Sequence, residues 1–265
     1  MMRRVYFLFC CCCCAFVCGA QQLTLLKEYP IKARMLQVDE LGNAYIVRAD
    51  NGLVKLNSNG DSLANYVSVA NGEMTYLDVT NPLRVLALYR SFAKLVVLDR
   101  MLAPKNELNL RKVNLVNCNV VASSAEGFLW VYDQFNASLN KLDMDLNPVI
   151  QGYDLRPQLQ ERPAPVSLVE RERKVYMADS VLGVLVFDQF GSYLNTLEIK
   201  ATGKVVVLGE QLFYLKGHVL EAYDMKSFSA KSLQLPQEAM VLDFGLTADK
   251  LFLLYPDRVS IFRLQ

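Results

Sequence analysis

The sequence predicts an all-β fold, a six-bladed β-propeller of four-stranded blades, and two periodic patterns support this prediction. Short apolar runs, each with one anchor residue, recur along the chain, and the anchors stand 42, 44, 45, 36 and 39 residues apart. A second series of apolar runs lies ten or eleven residues before the anchors. A period near forty residues in strand-rich sequence matches the size of one blade. The anchors are Leu56, Leu98, Leu142, Phe187, Tyr223 and Phe262.

Each pair of runs predicts a β-hairpin that forms the second and third strands of a blade. Residues 128–132 and 212–215 are examples of the earlier run, and they contain the aromatic and β-branched residues that strands favour. Short turns, such as residues 50–52 and 216–218, separate the two runs. Their length is that of a hairpin connection, so the two strands are expected to pair.

The first and fourth strands of the blades are predicted from the flanking sequence. An apolar run stands upstream of every hairpin, and these runs are expected to line the central channel. They comprise residues 35–38, 74–77, 119–121, 166–169, 205–208 and 240–242. Residues 61–66 and 192–199 follow their anchors and predict outermost strands.

Two further features support a closed ring. Aspartate follows the anchor in four repeats, where its carboxylate can accept a hydrogen bond from the backbone two residues on and so form the turn to the fourth strand. These residues are Asp99, Asp143, Asp188 and Asp224. The sixth repeat ends after its third strand, whereas residues 23–29 form a strand-like run with no blade of their own. We therefore expect the amino-terminal strand to complete the sixth blade and remove an open edge.

Residues 1–20 have the pattern of a signal peptide, which leaves residues 21–265 as a single propeller domain. Arg3 and Arg4 precede an apolar stretch that is too short to span a bilayer, and small residues precede Gln21. Cleavage there would remove six of the seven cysteines, and lipidation of Cys18 is the alternative. The remaining Cys118 is expected to be a small buried residue. No later segment is apolar over the length needed for a membrane span.

Residues 38–46 and 52–60 resemble the repeat unit of NHL-type and related bacterial propellers. That resemblance implies a binding scaffold in most cases and an enzyme in some. Gln21, directly after the expected cleavage site, is similar to the first residue of exported proteins of the Bacteroidota. The implied location is the periplasm or the outer membrane.

The composition offers little for catalysis. A net charge of +1 gives no electrostatic footprint for nucleic acid. His218 is the only histidine, and it falls at a hairpin tip, so neither a Ser-His-acid triad nor a zinc site is expected. We expect no enzyme, cofactor or metal. The alternative is a calcium-dependent, lactonase-like hydrolase whose ligands would come from Asp39, Asp78, Asn119, Glu170 and Asp243 near the channel.

Surface recognition is the function that the sequence favours. Residues 151–165 form the longest connection, and Tyr153, Arg156 and Arg162 within it are of types favoured at contact centres. Arg84 and Arg90, together with Tyr89 and Phe92, form a second candidate site. We expect a non-catalytic scaffold with a protein partner at the outer membrane, for example an accessory or plug subunit of a complex such as the type 9 secretion translocon. A carbohydrate- or peptide-binding module is a further alternative.

Overall fold

The computed structural model describes residues 23–264, and it confirms a six-bladed β-propeller with almost no helix. The signal peptide predicted for residues 1–20 lies outside the described residues. Six four-stranded antiparallel sheets are arranged as a ring. In residues 23–264 no helix has the length and apolar character needed to cross a bilayer.

Every blade is an antiparallel meander whose first strand is the innermost. Blade 1 contains β2 (Ala33–Val38), β3 (Ala44–Arg48), β4 (Leu53–Leu56) and β5 (Ser62–Tyr66). Blade 2 contains β6 (Tyr76–Asp78), β7 (Arg84–Tyr89), β8 (Lys94–Asp99) and β9 (Pro104–Asn109). Blade 3 contains β10 (Val121–Ser123), β11 (Leu129–Asp133), β12 (Ser138–Leu142) and β13 (Pro148–Ile150).

The second half of the ring repeats this order. Blade 4 contains β14 (Ser167–Arg171), β15 (Lys174–Asp179), β16 (Gly183–Asp188) and β17 (Tyr193–Leu197). Blade 5 contains β18 (Val206–Leu208), β19 (Gln211–Lys216), β20 (Val219–Asp224) and β21 (Ser229–Gln234). Blade 6 contains β22 (Asp243–Leu246), β23 (Lys250–Leu254) and β24 (Arg258–Leu264), and its outer strand is β1 (Leu23–Pro30). The short helix α1 (Arg156–Leu159) lies between blades 3 and 4.

The amino-terminal strand closes the ring as the sequence predicts. β1 runs antiparallel to β24, with Leu23 opposite Leu264 and Pro30 opposite Arg258. The sixth blade is therefore built from both ends of the described chain. This pairing leaves no unfilled position between the last blade and the first, which solves the edge problem of an open sheet.

The core lies between the blades, and each neighbouring pair of blades encloses one apolar cluster. On β11, Leu129 and Val131 face blade 2, whereas Trp130 and Tyr132 face blade 4. Alternate residues of a strand point to opposite sides, so a strand inside the ring is apolar on both faces. This burial explains why the hairpins appear in the sequence as continuous apolar runs.

The inner strand of blade 6 differs from the prediction. The apolar residues 240–242 lie before β22, and Met240 is exposed on the connection from blade 5. The strand itself is Asp243–Leu246, so it begins directly after the apolar run from which the sequence predicts it. Gly245 is required there because a Cβ atom would lie 2.1 Å from Cγ2 of Val38 on the neighbouring β2. Because these two inner strands approach each other closely, β22 contains a glycine, whereas the sequence predicts an apolar run for the inner strand.

The aspartates after the anchors form turns, as predicted. One carboxylate oxygen of Asp143 accepts hydrogen bonds from the backbone N–H groups of Asp145 and Asn147 at 2.9 and 2.8 Å. Asp99 and Asp188 accept equivalent pairs of bonds. These bonds stabilise the ionised carboxylate, and the side-chain and backbone N–H groups of Asn147 lower the pKa of Asp143.

Five of the outer strands carry a β-bulge near their first residues, and blade 5 does not. Pairing skips one residue of each bulged strand, namely Leu63, Lys105, Val149, Leu194 and Leu26. In blade 5, β21 pairs with β20 residue by residue from Asp224 opposite Ser229 to Val219 opposite Gln234. The outer strand of blade 5 is therefore the one outer strand in the described ring that pairs without a bulge.

Candidate functional site

The two ends of the ring carry different loops. We call the upper face the end where the second strand of a blade turns into the third and where the fourth strand crosses to the next blade. The lower face carries the other two sets of turns. Because binding residues of propellers lie on such loops, each face was a possible site.

The upper face of blades 2 to 4 presents an exposed apolar residue at the tip of each hairpin. Phe92, Phe135 and Val181 are 51%, 70% and 62% exposed, and we call these three residues the upper arc. The corresponding hairpin tips of blades 1, 5 and 6 are polar or small, with Asp50 and His218 as examples. Among the hairpin tips of the upper face, the large exposed apolar residues are therefore those of blades 2 to 4.

Basic side chains accompany the upper arc in blade 2. The ring of Phe92 lies against Gly72 on the crossover from blade 1, where a Cβ atom would be 2.8 Å from the ring. The guanidinium of Arg111 is 3.5 Å from the carbonyl oxygens of Ser91 and Phe92. Arg90 is exposed and begins the turn that carries Phe92. The sequence singled out Arg90, and the structure places it beside the arc.

The long connection between blades 3 and 4 brings two more predicted residues to the same side. Leu155 pairs its N–H with the carbonyl of Ala137 in the blade 3 hairpin turn, and Ala164 donates to the carboxylate of Asp179 on blade 4. Arg156 forms a salt bridge with Asp154 at 2.7 Å, and Arg162 is exposed. The connection is therefore fixed against both blades and is not a free loop.

Tyr153 and Arg84 lie away from the arc. The hydroxyl of Tyr153 accepts a hydrogen bond from the N–H of Tyr193 at the outer edge of blade 4. Arg84 begins β7 at the lower face, where its guanidinium donates to the carbonyl oxygen of Gly127 at 2.6 Å. Burial lowers the pKa of Arg84, and Asp78 opposes this change. Arg84 thus joins blade 2 to blade 3, at the opposite end of the strand from Arg90.

The carboxylates considered as calcium ligands are dispersed over inter-blade and turn contacts. Asp39 accepts hydrogen bonds within its own turn and from the hydroxyl of Tyr45 at 3.0 Å. Asp78 accepts the N–H of Ser123 on blade 3 at 2.8 Å. Glu170 accepts the indole N–H of Trp130, also on blade 3. The oxygens of Asp78 and Glu170 therefore link neighbouring blades, whereas those of Asp39 bond within blade 1.

The two remaining calcium candidates are also separate. Asp243 accepts the N–H of Leu36 at 2.8 Å and forms a salt bridge with Lys204 at 3.1 Å. The amide oxygen of Asn119 is buried without a hydrogen-bond partner on the crossover into blade 3. Within residues 23–264, no three His, Cys, Asp or Glu side chains are placed to hold one metal ion.

Two side chains cross the central channel. The hydroxyl of Tyr76 in blade 2 accepts the N–H of Leu168 in blade 4 at 2.9 Å and donates to the carbonyl of the same residue. Lys204 donates to the carbonyl of Leu36 and pairs with Asp243, and burial lowers its pKa while Asp243 opposes this change. Lys204 borders a cavity of about 250 Å³ in the channel and one of about 500 Å³ at the upper face. These contacts therefore join inner segments of different blades across the channel.

The remaining reactive side chains are dispersed. Cys118 is buried, as expected, and burial raises the pKa of its thiol to about 12. His218 is exposed at the tip of the hairpin between β19 and β20. Nearly one hundred residues separate the two in the chain, and they lie in different blades.

No protein-family model matches the chain, and no curated protein matches it. Solved structures do match. Virginiamycin B lyase from Staphylococcus aureus superposes with a TM-score of 0.63 and 9% identity, over 92% of this chain and 100% of the other. A structural genomics protein of unknown function from Bacteroides thetaiotaomicron gives 0.66 and 12%, over 93% and 76%.

BamB from Moraxella catarrhalis has a TM-score of 0.56 and 12% identity, over 91% of this chain and 98% of that chain. Identities this low show the common propeller fold alone. These three matched structures agree with the β-propeller fold that the sequence predicts.

Phe135 and Val181 are the site residues that the sequence analysis did not single out. Val181 is followed by the apolar Leu182, but Phe135 stands in its turn between Gln134 and Asn136, where a large apolar residue has no partner along the chain. A large apolar residue among polar turn residues is therefore a signal from which the sequence could have predicted this part of the site. It was obscured because the neighbouring strands are themselves strongly apolar.

Proposed function

We propose that the protein is a non-catalytic binding scaffold that docks a protein partner through the upper arc. The observation that carries this proposal is the exposure of Phe92, Phe135 and Val181 on three successive hairpin tips. Three such residues on neighbouring blades would give an exposed apolar surface of the kind that marks protein contact sites. Aromatic and arginine side chains supply most of the energy in such contacts.

The hydrogen bonds made by the carboxylates near the channel favour a binding function over a catalytic one. Asp78, Glu170 and Asp243 each accept backbone or indole N–H groups from a neighbouring blade. Their oxygens are thus occupied in holding the ring together, so the calcium-dependent hydrolase has less support in this geometry. The carbohydrate- or peptide-binding alternative would use the same surface loops.

The proposal includes a location and a kind of partner. We place the protein in the periplasm or at the outer membrane, on the basis of the leader-like residues 1–20 and of Gln21. There it would act as an accessory or plug subunit of an outer-membrane complex, such as the type 9 secretion translocon of the Bacteroidota. The NHL-like repeat of blade 1 is consistent with a scaffold of this kind.

The test compares the two faces. A photo-reactive amino acid at Phe135 is expected to cross-link one envelope protein in living cells, and the F135D and V181D variants are expected to lose that protein in affinity purification. Phe190 is the matched control because it is 64% exposed on a turn of the lower face. F190D is expected to retain the partner. Recovery of the protein alone, or equal loss in F190D, would contradict the proposal.

A further inference from the structure

The outer edge of blade 5 lacks two of the features that protect an edge strand, a bulge and a proline, and Lys231 is the one charged residue of its strand. Natural sheets use bulges, prolines and short strands to prevent pairing with another chain. Each of the other outer strands in the described ring has a bulge. β21 has six residues in unbroken register with β20, and it contains no proline.

The register shows which backbone groups of β21 are available. The N–H of Leu235 donates to the carbonyl of His218, so these two residues form a hydrogen-bonded pair. Such pairs alternate along an antiparallel ladder, and Leu233 and Lys231 therefore also bond to β20. The N–H and C=O groups of the alternate residues point away from the blade. These residues are Ala230, Ser232 and Gln234, all of which are exposed.

A cavity adjoins this edge. It has a volume of about 310 Å³ and lies between blades 5 and 6. Leu233 of β21 borders it together with Phe213, Leu246 and other apolar residues. Lys231 is the charged residue of its lining, it is exposed, and within residues 23–264 it forms no salt bridge. The edge thus combines free backbone groups, an apolar recess and one available positive charge.

We propose that an extended segment of a partner protein adds to β21 as a fifth strand of blade 5. Backbone hydrogen bonds to Ala230, Ser232 and Gln234 would supply affinity, and side chains on alternate positions would supply specificity. The position opposite Leu233 faces the recess and takes an apolar side chain. The position opposite Lys231 lies on the same side and takes an acidic one, because opposite charges across a strand pair attract.

This site lies on the outer perimeter of the ring and extends the proposed binding role to a second place. It does not include any residue of the upper arc. The partner segment is therefore defined by its own chemistry, as an extended stretch with an acidic and an apolar side chain two residues apart.

The probe is a blocked octapeptide with Thr at alternate positions and with Glu and Val alternating between them. It is titrated into the purified protein, and amide exchange is measured by NMR. The amides of Ala230, Ser232 and Gln234 are expected to exchange at least tenfold more slowly with the peptide bound. A peptide with Lys in place of Glu is expected to bind at least tenfold more weakly. K231E is expected to reverse that preference.

Two changes test the backbone pairing directly. S232P removes an N–H that β20 does not use, so the blade is expected to fold and the Kd to rise tenfold or more. S232A retains the N–H and is the control, with a Kd within twofold of the unchanged protein. N-methylation of the peptide on every second amide leaves the protein unaltered. One of the two methylation patterns is expected to abolish binding, and the other is not.

Failure of this site and failure of the proposed function are distinguishable. F135D is expected to bind the octapeptide normally, so loss of the envelope partner in that variant concerns the upper arc alone. Absence of octapeptide binding at millimolar concentration would overturn the β21 proposal. Unchanged affinity in S232P, or equal binding of the Glu and Lys peptides, would overturn it as well.

Discussion

Blades 3 and 5 have the same four-stranded topology and differ in how completely they are packed. β11 and β12 are almost entirely buried, whereas most residues of β19 and β20 are partly exposed. At equivalent positions, blade 3 pairs Trp130 with Lys141, and blade 5 pairs Phe213 with Ala222. The smaller pair leaves room for the cavity that borders blade 6.

This difference shows that the sequence repeat determines the strand topology of a blade but not how tightly its side chains pack. Blade 3 is joined to blade 4 by buried polar contacts, since Trp130 donates to Glu170 and Lys141 reaches the carbonyl of Gln189. Blade 5 has the unbulged outer edge. We infer that blade 3 contributes more to the stability of the ring and that blade 5 leaves more surface available for contacts.

The largest expected effect comes from removing the aromatic residue at this equivalent position in each of the two blades. W130A is expected to lower the free energy of unfolding by about 3–5 kcal/mol, because it leaves a cavity and deprives Glu170 of a hydrogen-bond donor. F213A removes a partly exposed ring at the equivalent position and is expected to cost about half as much. Urea unfolding of both variants measures the difference, and equal losses would contradict the comparison.

The lysine of blade 3 should have a smaller effect. The Nζ of Lys141 lies 2.6 Å from Glu126 and 4.9 Å from the centre of the Trp130 ring. K141M keeps an apolar stem of similar length and loses these contacts, so we expect a loss of about 1–2 kcal/mol. E126Q is the control. Glu126 is mostly exposed, so its replacement is expected to cost about 0.5 kcal/mol or less.

Within this comparison, the sequence predicts the features that depend on the periodic burial of apolar residues. The hairpin around Trp130 is apolar on both faces, so its strands and their place in the ring follow from the pattern alone. The inner strand of blade 6 does not follow, because the contact of Gly245 with Val38 depends on a strand 207 residues away. The sequence also gives no sign of a bulge, since a bulge is a property of two paired strands.

The candidate sites show the same limit. Arg90 and Arg162 lie on the upper face, whereas Arg84 contacts blade 3 at the lower face, and the sequence does not distinguish the two faces. Arg84 and Arg90 are close together in the sequence. They lie on opposite faces because β7 runs from the lower face to the upper face. The free edge of β21 is a consequence of its register with β20, so no residue type in the sequence predicts it.

The smallest expected effect concerns the turns to the outer strands. In blade 3, Asp143 bonds the N–H groups two and four residues on, as Asn57 does in blade 1. Asp224 of blade 5 bonds those two and three residues on, and no bulge follows. D143A is therefore expected to lower the urea midpoint at pH 7 slightly, whereas D143N retains an acceptor oxygen and is expected to match the unchanged protein.

The pH dependence separates the carboxylate from its neutral replacement. Because folding lowers the pKa of Asp143, its carboxylate contributes stability above the pKa of the unfolded chain, near 4, and that contribution is lost as the pH falls through the lower folded value. D143N cannot titrate, so its urea midpoint should decrease less than that of the unchanged protein between pH 5 and pH 2. Parallel decreases would show that the turn bonds of blade 3 do not depend on the charge of Asp143 and would contradict the prediction.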